Sequence, residues 1–206
     1  MLPDGRIEKL EKGEKGNIFS PYMIIQYILS FIMSLCYGTY GLNISFAVVE
    51  NGMNTAFVSV LSSCVQATQL AMCFLLVYYI RFTKGHALMV SCGLFIIAKW
   101  LLVFAQSGPA FIATCLLFGM SFNVYWVIGI IDIPKHVSKN SITKAISLWS
   151  AVSFGSVFVN PYIITKGAAL LLDGSVHSRF LLSSIIASVV IGICIVCYIF
   201  IIKKEN

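Results

Sequence analysis

The chain has 206 residues, 59% of them hydrophobic and only 11% charged, with a mean hydropathy of +0.92 and a formal net charge of +6. A soluble domain of this size cannot bury so much apolar surface, so these values exclude a water-soluble globular protein and leave the lipid bilayer as the solvent. The charges cluster between long apolar runs instead of following amphipathic faces, which argues for spanning helices over helices lying on the membrane surface.

Residues 1–18 are polar and are predicted to form a tail or linker. No short apolar region with a small-residue cleavage site follows, so no cleaved signal peptide is expected. Six apolar runs come next, at 22–49, 55–80, 86–107, 109–131, 142–165 and 179–202, followed by a short tail at 203–206. Each run reaches the roughly 20 residues that cross about 30 Å of hydrocarbon. Backbone groups in lipid must bond internally, so each run is predicted to be a helix and the fold an all-α membrane bundle of six transmembrane helices. The first run is the longest and carries Gly38 and Gly41, where tilt or a bend is expected. The third and fourth are divided only by "QSGPA", in which Gly108 and Pro109 predict a tight hairpin.

Basic residues set the orientation. Arg6, Lys9, Lys12 and Lys15 precede the first helix, and Arg81 and Lys84 follow the second. Lys135, Lys139 and Lys144 surround the link between the fourth and fifth, and Lys203 and Lys204 end the chain. With six spans all 11 of these lie on one side, out of 14 in total, while Lys166 and Arg179 lie opposite and Lys99 falls inside the third helix. Basic loops stay in the cytoplasm, so both termini are expected there, in the cell membrane. The positive charge then needs no nucleic-acid partner.

Polar side chains at membrane depth are unevenly shared. The second helix places Ser59, Ser62, Ser63, Gln66 and Gln69 on one face, and the fifth places Trp149, Ser153, Ser156 and Asn160 at spacings of four, three and four. The first puts Tyr37, Tyr40 and Asn43 on successive turns, and the fourth Gly119, Asn123 and Trp126. The third and sixth are mostly apolar and are predicted to face lipid, the other four to line a cavity. The serines read as interhelical hydrogen-bonding glue. Gln66, Gln69, Asn123 and Asn160 read as lining a shared polar space, since an amide without a partner in hydrocarbon costs several kcal/mol. Tyr37, Tyr40, Trp126 and Trp149 read either as flat walls for a small organic solute or as plain core. Lys99 is either a functional charge or a lysine that snorkels or meets a structural partner.

The chemistry of catalysis is missing from the sequence. There is no zinc-ligand spacing, nucleophile elbow or glycine-rich phosphate loop, so neither an enzyme nor a cofactor or metal is expected. All seven cysteines fall within apolar runs and read as lipid-compatible core residues. Asp132 beside Lys135 and His136 reads as a rim ion pair. Glu50 and Asp132 sit at opposite membrane edges, so no buried carboxylate is present for proton coupling.

The layout with the first, second, fourth and fifth helices inside resembles one six-helix half of the major facilitator superfamily. "FLLVYYIRFTKGHALMVSCGLFI" resembles the short basic loop after that family's second or eighth helix. Arg81, Phe82 and Lys84 match, whereas Ile80 replaces the acid and Thr83 the glycine. "CLLFGMSFNVYWVIGIIDIPKHVSKNSITKAISLWSAVSFGSVFVNPYI" is similar to the family's tenth helix, basic loop and eleventh helix, with Asp132 and Pro134 before the loop. The charged tail "DGRIEKLEKGEKGN" is similar to its central linker. The resemblance implies the C-terminal half of such a transporter, two inverted three-helix repeats and a solute site near the midplane. It also implies a second six-helix half, as a separate chain or a second copy. The expected function is secondary transport of a small organic solute by alternating access. The alternative is a six-helix substrate-binding subunit of an energy-coupling vitamin importer, whose small-residue docking run on the first helix is missing here.

Overall fold

A computed structural model describes residues 17–83 and 86–205. Residues 1–16 of the predicted tail, the loop residues Lys84 and Gly85, and Asn206 lie outside the described residues. Among the described residues every regular element is helical, and six are long and apolar enough to cross a membrane. The chain is therefore a multi-pass membrane protein.

Helix α1 runs Pro21–Glu50, α2 Ala56–Phe82, α3 Ala87–Phe104 and α4 Gly108–His136. The fifth span, α5, runs Lys139–Leu171, and α6 runs Val176–Glu205. Most boundaries fall close to the sequence expectation, and the differences have local causes. Helix α3 stops at Phe104 because Ala105 adopts an extended conformation ahead of the Gly108 and Pro109 start of α4. Helix α4 continues through Pro134 to His136, since a proline in the last turn removes only one ladder bond. The predicted tail from 203 is helical through Glu205. Helix α1 is unbroken over 30 residues, about 45 Å of helix, and exceeds the hydrocarbon thickness.

The fifth span is composite. A short 3-10 turn at Lys139–Ser141 leads into the α-helix Ile142–Asn160. Pro161 then opens a π-helical turn over Pro161–Lys166, and α geometry resumes at Gly167–Leu171. Proline has no N–H to donate and crowds the preceding turn, and the wider π turn accommodates both defects. This carries α5 past its expected end at 165.

Helix α1 is the central element, with 67% of its most apolar window buried. It packs against α5 and α6, while α4 packs against α2 and α3, and α3 also meets α6. Helices α1 and α4 touch each other only lightly, as do α1 and α2. Helices α2, α5 and α6 are peripheral, with only 17%, 22% and 22% of their windows buried, as expected of α6 but not of α2 and α5. Helix α3 does not present itself wholly to lipid as expected: Ser91, Cys92, Phe95, Ala98 and Lys99 form a fully buried stripe against α4 and α6. Helix α6 likewise turns Ser183 and Ser184 inward while Val189, Ile193 and Phe200 stay exposed.

Two glycines set interhelical distances. A Cβ on Gly119 of α4 would lie 2.7 Å from the Val65 carbonyl of α2, so this crossing requires glycine. A Cβ on Gly129 would lie 2.9 Å from the Trp149 ring, which is itself fully buried between α4 and α5.

Candidate functional site

The predicted site residues fall into two groups that behave differently. Trp149, Ser153, Ser156 and Asn160 of α5 are fully or almost fully buried against α1. The Ser30 hydroxyl donates to the Trp149 carbonyl at 3.4 Å, and Ser34 bonds Ser153. The Asn160 amide donates to the Leu35 carbonyl at 2.6 Å and to the Thr39 hydroxyl at 2.8 Å. In this arrangement the α5 polar face is interhelical glue and opens onto no cavity. The same residue types on the same helical face serve both purposes, so periodicity alone does not separate them.

Tyr40 and Asn43 belong with this closed region. The Tyr40 hydroxyl contacts the Cys115 sulfur at 3.3 Å. The Asn43 amide donates to the Thr39 carbonyl at 2.9 Å and accepts from the Arg179 guanidinium at 2.9 Å, tying α6 to α1.

The second group surrounds a shallow pocket of about 160 Å³ lined by Gln69 of α2 and Phe122, Asn123 and Trp126 of α4. Asn123 donates to the Gln69 backbone carbonyl and reaches Cys73 at 3.5 Å. This draws the two helices together one turn beyond the Gly119 crossing and leaves the Gln69 side chain at the pocket. Gln66 is exposed on the same side of α2, together with Ser59, Ser62 and Ser63. Trp126 is half-buried, and its indole nitrogen is buried with no acceptor. An unpaired buried donor costs about 1–3 kcal/mol, and with this nitrogen covered the indole meets the pocket through its ring.

Aromatic rings extend the pocket wall. Tyr37 of α1 stacks on Phe122 with centroids 4.4 Å apart, and Phe122 meets Trp126 at 6.1 Å. Trp126 lies edge-on to Trp149 at 4.4 Å. A chain of ring contacts thus runs from Tyr37 of α1 across α4 and ends on the buried Trp149 of α5. Sequence reasoning passed over Phe122 and Phe118. The successive spacing of four from Phe118 to Phe122 to Trp126 is the signal that would have found them.

A separate cluster closes the end of the bundle that holds the start of α1. Tyr22 of α1 stacks on His136 of α4 at 3.6 Å and approaches Tyr198 of α6 at 5.8 Å. Asp132 pairs with Lys135 at 2.6 Å, with the lysine largely exposed, so the rim pair contributes little. Arg81 is exposed at the end of α2, and Lys84 lies outside the described residues.

Lys99 does not snorkel. Its side chain is fully buried, and its ammonium nitrogen lies 3.4 Å from the Cys36 carbonyl in the middle of α1. The Phe180 ring of α6 is 5.7 Å away. Among the described residues the only salt bridge is the rim pair, and no group of three or more His, Cys, Asp or Glu could hold a metal ion. Comparison of the chain with protein-family models, with curated proteins and with solved structures finds no match.

Proposed function

We propose that this chain is one six-helix half of a secondary transporter, of major-facilitator type, that moves a small organic solute by alternating access. The observation that carries the reading is the pocket of Gln69, Phe122, Asn123 and Trp126 on the uncovered side of α2 and α4. Its volume of about 160 Å³ is below the ~300–1,000 Å³ of sites that enclose a ligand. A second bundle facing it would complete the enclosure. The exposed polar face of α2 supports the same partner, because Ser59, Ser62, Ser63 and Gln66 are poorly matched to lipid.

Helix pairing supports two inverted repeats. Exchanging α1 with α4, α2 with α5 and α3 with α6 carries the contacts of α1 with α5 and α6 onto those of α4 with α2 and α3. Each member of such a pair crosses the membrane in the opposite sense, as inverted repeats require. In this reading the basic loops and both termini face the cytoplasm, in the cell membrane. The partner half is a second copy or a separate chain.

The pocket is lined by two amide residues and two aromatic ones, with no charged side chain. That lining suits a neutral solute with a flat face and a hydrogen-bond acceptor. The test is access from water. Cysteines placed at 66 and 69 in reconstituted vesicles are expected to react with a membrane-impermeant thiol reagent. Cysteines placed at 193 and 200, on the lipid side of α6, are expected not to react. Unreactive positions 66 and 69 would overturn the reading, and co-purification with an ATPase module would replace it with the vitamin-importer alternative.

A further inference from the structure

Lys99 is the one described cation buried at membrane depth, and its surroundings hold no counter-charge. Every element packed on it can be inspected. From α1 it meets the Cys36 carbonyl, with the Cys36 thiol as the titratable group near enough to act on it. From α6 it meets the Phe180 ring, while Ser184 donates to the Lys99 carbonyl at 3.1 Å and Ser183 accepts from the Cys36 thiol at 3.5 Å. The neighbouring Trp100 is tied to Ser188 of α6 at 2.9 Å. Cys36, Lys99, Ser183 and Ser184 are all fully buried, so no group from outside the bundle reaches the amine while these helices stay together.

An ammonium offers three donors, and this site supplies one carbonyl at a long 3.4 Å. A neutral amine fits such a place, and a charged one needs water or an anion beside it. We infer that Lys99 is a proton-binding site: the amine is neutral while α1 rests on α3 and α6, and it takes up a proton as α1 separates from them and water enters. Because the separated state binds the extra proton, lowering the pH favours separation. Helix α1 is suited to move at this level. Gly38 lies two residues from Cys36, packed on Asn160 and Val157 without a side chain of its own, and Gly41 is exposed with no neighbour within 4 Å of its Cβ position. Cys36 itself leaves the buried core in the same motion, which makes it the natural reporter. Coupling of this step to solute movement rests on the transporter reading, whereas the proton-linked opening does not.

The test follows the reaction of Cys36 with methyl methanethiosulfonate, read by mass spectrometry, in full-length chain whose other six cysteines are replaced by serine or alanine. The protein is held in nanodiscs between about pH 9 and about pH 6. A thiol that is always accessible reacts about tenfold more slowly for each pH unit below its own titration. The inference expects this slowing to be offset: one proton raises the open population by up to about tenfold per pH unit, so labelling of Cys36 stays nearly constant as the pH falls. Lys99→Met, close to lysine in size and uncharged, is expected to restore the ordinary deceleration. Lys99→Arg, always charged, is expected to label faster than the parent at about pH 9 and to slow in the ordinary way as the pH falls. If Cys36 slows with falling pH in parallel with the Lys99→Met variant, the inference is overturned. A flat profile that survives Lys99→Met assigns the proton to another group and overturns it equally. Should Lys99→Arg not fold, the first two series decide alone. Loss of the water-accessible face at positions 66 and 69 with this labelling pattern intact would remove the transporter reading and leave the proton site standing.

Discussion

Two helix contacts in this bundle draw on the same residue types yet are built differently. The α1–α5 contact and the α4–α2 contact are both among the main contacts of the bundle, and each carries an asparagine that donates to a backbone carbonyl across the seam. At α1–α5 the seam is lined by Ser30, Ser34, Thr39, Ser153 and Asn160, all buried, and it is closed. At α4–α2 the seam is held by Gly119 at one level and splays into the pocket one turn beyond. The difference teaches that a polar helical face becomes a seam or a site according to the chemistry opposite it. The Leu35 carbonyl and the Thr39 hydroxyl take up the Asn160 donors, whereas Trp126 leaves its N–H unused; within the closed seam the Asn160 carbonyl and the Trp149 N–H are unused as well.

Replacing the glycines breaks the comparison most sharply. Gly119→Ala forces a methyl against the Val65 carbonyl at 2.7 Å, which side-chain movement cannot relieve. The expected loss is about 1–3 kcal/mol, read as a lower midpoint in thermal unfolding in detergent. At the α1–α5 contact, Gly38 has no neighbour closer than 3.5 Å to its Cβ position. Gly38→Ala is therefore expected to be neutral or to stabilise by up to about 1 kcal/mol through helix propensity. Equal losses at the two sites would mean that both seams are equally tight.

Removing the asparagines sharpens it further. Asn160→Ala removes the donors to the Leu35 carbonyl and the Thr39 hydroxyl oxygen in a fully buried place, and a loss of about 1–2 kcal/mol is expected in the same unfolding measurement. Asn123→Ala, at a half-buried position beside the pocket, is expected to cost less than half of that. Trp126→Phe keeps a ring and deletes the unused N–H, so unfolding should be almost unchanged. In the proposed transporter, Gln69→Leu, which removes the amide at the pocket, should raise the solute needed for saturation of uptake about tenfold, the equivalent of one neutral hydrogen bond.

The smallest effect lies outside the membrane. Asp173 accepts the Ser175 N–H at 3.0 Å, and the backbone and hydroxyl donors of Ser175 and Ser178 hold its carboxyl down at about 2. A carboxyl depressed in the folded state contributes stability above its ordinary value of 3.8, and that stability is lost as the pH falls towards about 2. Asp173→Ala is thus expected to lower the unfolding midpoint slightly at neutral pH and not at all near pH 2.

Legibility followed the range of the forces involved. All six spans were readable because hydropathy and internal backbone bonding act along the chain. The deviations sat at Pro134, Pro161 and Ala105, where single-residue geometry moved an end. Within the site, Gln69, Asn123 and Trp126 of the sequence expectation come together at the pocket, with Tyr37 on the adjoining wall. Tyr40, Asn43, Trp149 and Asn160 face neighbouring helices, and Gln66 lies on the open face. Phe122 was legible in its spacing to Trp126, but an aromatic at helical spacing reads equally as core.

By itself the amino-acid sequence determined that this is a six-span chain with its basic residues gathered on one side, because lipid allows an apolar run no structure but a helix. Tertiary structure alone decided which face of each helix is sealed, that Lys99 turns inward to α1, and that α2 rather than α5 keeps a polar face open. Those outcomes depend on which helix lies opposite, and a helical face carries no record of its neighbour.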